Sequence, residues 1–588
     1  MTSRRGRPKP SRRGARGERP AAGRSSAGTE TIGTRPEAGT AFPADRAVST
    51  SLAALLIVGF VLQCLLSSAQ QSATYDEPVY IAAGYSYVET ADFRLKRDAP
   101  PLVATLSGLA LRIGTYFGNP VSFDTRSRLW SGPTEYRFAE EFLAGAGDRH
   151  RTVQIARLPV VLLGAALAAY VFLFGRLLWG GYAALAPLFL FCVDPNMIAH
   201  ARVVSNDAAL AALFFITHYY FYRLLTEDRR SNLVGVSVAA ALTIVAKFSG
   251  LLIVPSLALL GGLVYLFPRL LPVAPHHGTV RAQRRRILRI GAVAAATCAA
   301  ATVLAISVLY RSPSGAEQYV AGVRSIYTNA APGFQYYLLG DFSPSAAWYY
   351  YPIAMLLKTP DVTIVLLSLA IVSVCVPGSN VLRGTWMLVP VGLVLAVSSQ
   401  DPANLGLRRV LLVYPFLFLW TGERGVRMWE LIARSAHGRL AARLAPIGLL
   451  LVALAGIASA VRIHPYQLAH FNSFAGGPAA GHRYLDDSNI DWGQDLPGLA
   501  AWQSEHGVRP LALWYFGTDN PTSYGIDWRP LSDEELLQPR RAAYAISVNF
   551  LIALELRAQE RRHAEFDWLA RYRPAATIGH SIHIYDFR

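Results

Sequence analysis

The sequence predicts a mainly α-helical, polytopic membrane protein with about eleven spans, a long first extracytoplasmic loop and a small C-terminal α/β extracytoplasmic domain. Three observations predict it. Hydrophobic residues make up 52% of the 588 positions and charged residues only 16%, against about 25% charged in soluble domains. Apolar stretches of span length recur along most of the chain. The basic residues fall in short loops between those stretches, the pattern of membrane topogenic charge.

The chain starts with a basic segment. Residues 1–46 are rich in Arg, Pro, Gly and Ser, and too poor in apolar side chains to offset the entropy of ordering, so they read as a disordered cytoplasmic tail. Eleven basic residues lie before Ala47 and the remainder cluster in short loops between apolar runs, so the net charge of +17 does not point to a basic groove for a nucleic acid. The run Leu52–Ser68 exceeds the usual signal-peptide core and lacks a clear cleavage site, so it reads as an uncleaved first span. The remaining spans fall near 153–179, 182–196, 205–225, 232–249, 250–268, 289–310, 361–378, 384–399, 409–423 and 444–462. Together they form a transmembrane unit over 47–462. All four cysteines, Cys64, Cys192, Cys298 and Cys375, lie in apolar runs, so no disulfide framework is expected.

Charge then orients the chain. With the N-terminal tail inside, alternation also places 226–232, 269–289 and 423–443 inside, and these are the basic loops. An odd span count leaves 463–588 outside. There the strand-like runs Pro510–Phe516, Ala542–Phe550 and Ile578–Tyr585 mix with helical pattern at Asp533–Leu537 and Leu551–Ala570, which predicts a small α/β domain. The other outside segments are Gln70–Arg151, the turns Asp194–Asn206, Lys247–Gly250 and Ser399–Arg409, and the loop Arg311–Pro360.

The first loop opens on Thr74-Tyr75-Asp76-Glu77-Pro78, followed by Tyr80, Gly84, Tyr87, Phe93-Arg94-Leu95 and Asp98-Ala99-Pro100-Pro101-Leu102. Adjacent carboxylates at a membrane surface have two readings. Asp76 can cap a helix with Glu77 in its first turn, or one carboxylate can serve as a base whose basicity partial desolvation raises. If the segment is helical, the two side chains diverge by about 100° and cannot both face one hydroxyl.

These motifs resemble the opening loop of GT-C type membrane glycosyltransferases, the protein O-mannosyltransferase and aminoarabinose-transferase group. Further matches follow in register: Ala156-Arg157-Leu158-Pro159; Asp194-Pro195-Asn196 with His200 and Asp207; and Lys247-Phe248-Ser249-Gly250. Beyond these come Tyr349-Tyr350-Tyr351-Pro352 with Lys358-Thr359-Pro360, and Asn404-Leu405-Gly406-Leu407-Arg408-Arg409 leading to Tyr414-Pro415. Phe471-Asn472, Gly476-Gly477-Pro478 and Asp487-Ser488-Asn489-Ile490-Asp491-Trp492-Gly493-Gln494-Asp495 resemble a segment common in bacterial members. The resemblance covers roughly 50–495. It departs at Ala99, where family members often carry His before Pro-Pro-Leu.

The resemblance implies transfer of a sugar from a polyprenyl-phosphate donor to a hydroxyl of a protein, glycan or lipid acceptor at the extracytoplasmic face, with inversion. It implies Asp76 and Glu77 as the catalytic carboxylates, with Asp76 the base. Arg408, Arg409, Lys358 and Lys247 are the candidates for the donor phosphate, and His200, Asp207, Tyr350 and Asn404 are further site candidates. Asp76, Glu77, His200, Asp207, Lys247, Lys358, Arg408 and Arg409 all come to the same outer face. Each has a plainer reading: lysines near span ends snorkel, paired arginines anchor at the interface, and His200 can pack between helices. Asp207 lies just inside a span, where an unpaired carboxylate costs roughly 2.5–3.5 kcal/mol, which favours a paired or functional role.

No phosphate-binding Gly-rich loop, dinucleotide fingerprint or zinc pattern occurs, which fits a lipid-linked donor, and no cofactor is expected. The segment from Asp486 to Asp495 is rich in oxygen ligands but lacks the calcium-loop spacing, so it reads as a turn-rich structural piece, and a divalent metal is not expected. A transporter or flippase of a lipid-linked saccharide is the alternative; it would place ionisable residues at mid-membrane in broken helices of paired halves.

Overall fold

The computed structural model describes residues 43–122, 124–132, 135–267, 279–312, 314–328, 336–343, 347–377, 384–401, 404–435, 438–561 and 572–588. Most of the basic tail expected over 1–46 therefore lies outside the described residues. So do 562–570 of the last expected helix.

The chain is mainly helical and multi-pass. Among the described residues, six helices are long and apolar enough to cross a membrane: Asp45–Ser68, Arg149–Trp179, Asn206–Glu227, Phe248–Leu266, Val280–Tyr310 and Gly438–Ile463. The apolar helix pair Tyr350–Lys358 and Asp361–Val374, bent by 120°, forms a broken span or a re-entrant loop. The bend falls at Thr359-Pro360, where proline supplies no backbone donor and disfavours helix in the residue before it.

Each of the eleven expected spans coincides with helix, but several fall short of a membrane's thickness. The third is the clearest correction. Only Leu185–Val193 is helical there, because Asp194 leaves helical geometry and caps the next helix, Pro195–Ala201, accepting from the backbone N–H groups of Asn196 and Met197. Arg230–Ala246 and Leu388–Ser398 are shorter apolar helices, and Leu407–Val413 is a tight 3₁₀ stretch before Tyr414–Ala433.

The first loop is itself helical and lies against the bundle. Helices Glu77–Thr90 and Leu102–Tyr116 cross at two glycines: a Cβ added at Gly84 would sit 1.9 Å from the Ala104 carbonyl oxygen, and one at Gly108 would sit 2.0 Å from that of Gly84. Only glycine permits that backbone approach.

A two-stranded hairpin, β1 (Tyr336–Leu338) and β2 (Asp341–Ser343), precedes the broken pair. The C-terminal region carries a five-stranded sheet from β3 (Leu511–Trp514), β4 (Trp528–Pro530), β5 (Ala543–Ser547), β6 (Ala576–Ile578) and β7 (Ile582–Asp586), in the order β4-β3-β5-β7-β6. β3 pairs in parallel with β4 and β5, while β7 runs antiparallel to β5 and β6. The single strand expected over Ile578–Tyr585 is two, because Gly579 at φ 58° turns the chain between β6 and β7. One face of the sheet packs on Leu496, Leu499 and Trp502 of helix Leu496–His506, and the other on Leu551 and Leu554.

Leu468, Ala469, Phe471, Ala475, Leu485 and Ile490 do not join those sheet cores. Leu468 packs with Ala199, Val203 and Trp492, and the other five belong to the core of the helical body. The segment linking the last spanning helix to the sheet is thus inlaid in the bundle.

Candidate active site

Asp76 and Glu77 open helix Glu77–Thr90 and part company at once. Glu77 is fully buried. Its Oε1 accepts from Arg157 Nε at 2.8 Å and from the Val204 backbone N–H at 2.8 Å; its Oε2 accepts from Arg157 Nη2 at 2.6 Å and from the Thr74 N–H at 2.8 Å. Burial pushes the carboxyl up, but the Arg157 guanidinium and these hydrogen bonds outweigh it and hold Glu77 below the usual carboxylate range. Glu77 thereby ties the loop, the spanning helix Arg149–Trp179 and the turn before Asn206 together.

Asp76 stands at the helix N-cap position, yet its side chain makes no capping bond. Its carboxylate is 24% exposed, accepts one long hydrogen bond from Tyr136 at 3.4 Å, and has Arg408 Nη1 at 3.7 Å from Oδ2. Two neighbouring carboxylates are therefore held in opposite conditions, one saturated and one open.

Arg408 leaves the 3₁₀ stretch Leu407–Val413. Its Nε donates to the Leu405 carbonyl at 3.2 Å, its guanidinium lies 4.4 Å over the Trp492 ring, and Nη1 is 4.0 Å from Asp207 Oδ2. Asp207 is buried at the start of helix Asn206–Glu227 and takes Lys247 Nζ on its other oxygen at 2.5 Å. Asp76, Arg408, Asp207 and Lys247 form one chain of charges. Beside them Lys96 pairs with Asp98 at 2.9 Å and sits 5.4 Å over the Tyr80 ring. Burial works against the Lys96 charge, but Asp76 and Asp98 outweigh it and raise its pKa.

The remaining sequence candidates divide. Arg409 is ion-paired with Asp401. Lys358 is 2% exposed, donates to the carbonyls of Leu468 at 2.7 Å and of Asn489, and lies 4.7 Å over the Phe471 ring, so it pins the inlaid C-terminal segment rather than facing the charge chain. Tyr350 is buried, its hydroxyl accepting from Gly406 N–H at 3.2 Å and from Asn489 Nδ2 at 3.0 Å, which shapes the loop that carries Arg408. Asn404 is buried with neither amide atom hydrogen-bonded. His200 packs edge-on to Trp492 with centroids 6.3 Å apart, and its Nδ1 has no partner. Burial pushes its pKa down to about 3, with Asp207 opposing and Arg408 reinforcing, so it is a neutral imidazole at neutral pH.

Three contributors were not among the site candidates read from the sequence. Arg157 was visible as a charge inside an apolar run, which marks a paired or functional residue. Trp492 stood in the Asp-rich segment with nothing to connect it to Arg408. Tyr136 comes from helix Glu135–Ala144, far along the first loop, and no local pattern indicates that it meets Asp76. Among the described residues, no group of three or more His, Cys, Asp or Glu is arranged to hold a metal ion.

Residues 149–277 match the family model for dolichyl-phosphate-mannose-protein mannosyltransferase. No curated protein sequence matches the chain. Among solved structures, the chain is similar to apo ArnT from Cupriavidus metallidurans, at 12% identity over 91% of this chain and 98% of that one, with a TM-score of 0.47. The same ArnT bound to undecaprenyl phosphate gives 12% identity over 91% and 98%, with a TM-score of 0.44. The Pmt1-Pmt2 protein O-mannosyltransferase complex of S. cerevisiae, bound to its sugar donor, gives 16% identity over 46% and 35%, with a TM-score of 0.33.

Proposed function

We propose that the chain is a membrane glycosyltransferase that moves a sugar from a polyprenyl-phosphate donor to an acceptor hydroxyl at the extracytoplasmic face. The observation that carries this reading is the open carboxylate of Asp76 with the Arg408 guanidinium 3.7 Å away. A base and a phosphate-binding cation are the two groups the reaction needs at one place. The partial match to a mannosyltransferase family model supports the same reading. Neither observation supports the transporter.

In the reaction, Asp76 takes the proton of the acceptor hydroxyl as its oxygen forms a bond to the anomeric carbon. The bond from that carbon to the phosphate oxygen breaks, and the carrier phosphate departs with the electron pair. Arg408 receives the negative charge through its N–H donors, and Lys247 adds a second cation nearby. Attack opposite the leaving group inverts the anomeric centre. Tyr136 orients Asp76, while Asp207 holds Lys247 and lies 4.0 Å from the Arg408 guanidinium.

The basic loops support the orientation. Helix Asn206–Glu227 carries Asp207 at one end, and Asp228, just past its other end, meets Arg286 and Arg289. A helix of 22 residues separates those ends by about 33 Å. This separation supports the reading that the charge chain and the basic loops lie on opposite faces, with the charge chain outside under the positive-inside rule.

The test is incubation of the purified protein with a panel of polyprenyl-phosphate sugars and candidate acceptors, with mass analysis of the released carrier phosphate. Release that requires both an acceptor and Asp76 supports transfer. Movement of an intact donor across a vesicle with no release, for every sugar tried, overturns it.

A further inference from the structure

We infer that Trp492 is a positioning residue for the donor phosphate: its indole is the platform that fixes the plane of the Arg408 guanidinium, so the region after the last spanning helix completes the site. This rests on the reading of Arg408 as the phosphate ligand.

An arginine reaches its ligand on a long, rotatable stem, and its value to a phosphate depends on a fixed fork. Arg408 is held at two places. Nε is bonded to the Leu405 carbonyl at 3.2 Å, and the guanidinium carbon lies over the Trp492 ring, 4.4 Å from its centroid. Neither Asp76 nor Asp207 is close enough for a direct hydrogen bond, so these two contacts set its orientation.

Trp492 is suited to be a platform because it is itself immobile. It is 2% exposed and packs among Ala199, Val203 and Leu468, against Tyr75 and Phe516. Its backbone N–H donates to Gln494 Oε1 at 2.8 Å, and its backbone carbonyl accepts from the Tyr75 N–H at 2.8 Å. Tyr75 immediately precedes Asp76, and its ring meets Tyr136, the donor to Asp76, with centroids 5.4 Å apart. One tryptophan thus supports the cation through its ring and registers the carboxylate through its backbone.

The experiment measures binding of undecaprenyl phosphate to full-length protein in detergent, with melting temperature followed in parallel. A cation–π contact out of water corresponds to a factor of roughly ten or more in affinity. Trp492→Leu should therefore weaken binding at least about tenfold, and Trp492→Phe, which keeps a smaller aromatic face, should fall between it and the parent. In an Arg408→Ala background, Trp492→Leu should cost no further affinity, whereas a merely structural tryptophan would cost the same with or without Arg408. Equal affinity of the parent and Trp492→Leu, or an undiminished loss in the Arg408→Ala background, overturns the inference. If the parent binds no undecaprenyl phosphate and releases none from any donor, the failure belongs to the transferase reading. Should Trp492→Leu lower the melting temperature, the Phe variant with and without Arg408→Ala decides.

Discussion

Arg157 grips Glu77 with two hydrogen bonds of 2.8 and 2.6 Å in a fully buried pair, while Asp76, one residue earlier, accepts one long side-chain hydrogen bond from Tyr136 and has Arg408 3.7 Å away. The helix start turns the two carboxylates apart, and the surroundings give them different work.

Glu77→Gln leaves the Arg157 guanidinium buried without its counter-charge. Breaking such a pair costs on the order of 3–5 kcal/mol. The expected outcome is a markedly lower melting temperature in detergent and poor recovery of folded protein. A variant with parental stability and no turnover would instead place Glu77 in the chemistry.

Asp76→Asn removes a proton acceptor without removing a structural bond of comparable strength. Turnover should fall by about 10²–10⁴-fold, with the melting temperature and carrier-phosphate affinity nearly unchanged. Near-parental turnover would return Asp76 to the role of a loop residue.

Arg408→Ala should weaken donor binding and turnover together. Arg408→Lys should recover only part, because an ammonium cannot reproduce a planar fork. Arg409→Ala and Lys358→Ala should behave differently: the first removes the ion pair to Asp401, and the second unpins the Leu468 and Asn489 carbonyls, so its loss should appear as instability. Donor affinity and thermal unfolding of the four variants, measured side by side, check this ordering.

Two carboxyls of the inlaid segment carry a pH signature. Burial pushes Asp491 up to about 8 and Asp495 up to about 7, against about 3.9 in an unfolded chain. A folded-state pKa above the unfolded one means that the stabilisation is complete below about pH 3.9 and is lost as pH rises through about 7 and 8. The contribution of this segment to stability should therefore be smaller at pH 8.5 than at pH 6. Asp491→Asn should flatten that part of the dependence. Thermal unfolding across this range, with and without the substitution, tests it; an unchanged slope would refute the assignment to Asp491.

Orientation is open to reporter fusions. Fusions at Arg230 and Arg284 should report the cytoplasm and one at Gly481 the outside. A cytoplasmic signal at Gly481 would put the charge chain on the wrong face for an extracytoplasmic transfer.

What the sequence could disclose was set by period and composition. Spans such as Arg149–Trp179 and Asn206–Glu227 are long apolar runs and were legible. The nine-residue helix Leu185–Val193 was not, because its end depends on how Asp194 caps the following turn. Asp76, Arg408, Asp207 and Lys247 were recognisable as charges at one membrane face, and they do meet. Which cations are already engaged was illegible. Lys358 is occupied by carbonyls 110 and 131 residues downstream, and Arg409 by Asp401. The same holds for Trp492 and Tyr136, whose partners are set by tertiary packing rather than by neighbours in sequence.

The inlay of residues 468–495 into the helical body bears on how the protein is made. A ribosome delivers Asp76 early and Arg408 hundreds of residues later, but Trp492 and Asn489 emerge only after helix Gly438–Ile463 has entered the bilayer. Until then the Leu405–Leu407 loop lacks the Asn489 and Ser488 side chains that brace it, and the Tyr75 N–H lacks its acceptor. A nascent chain halted before residue 486 therefore has its charges in place without the side chains and the ring that brace them.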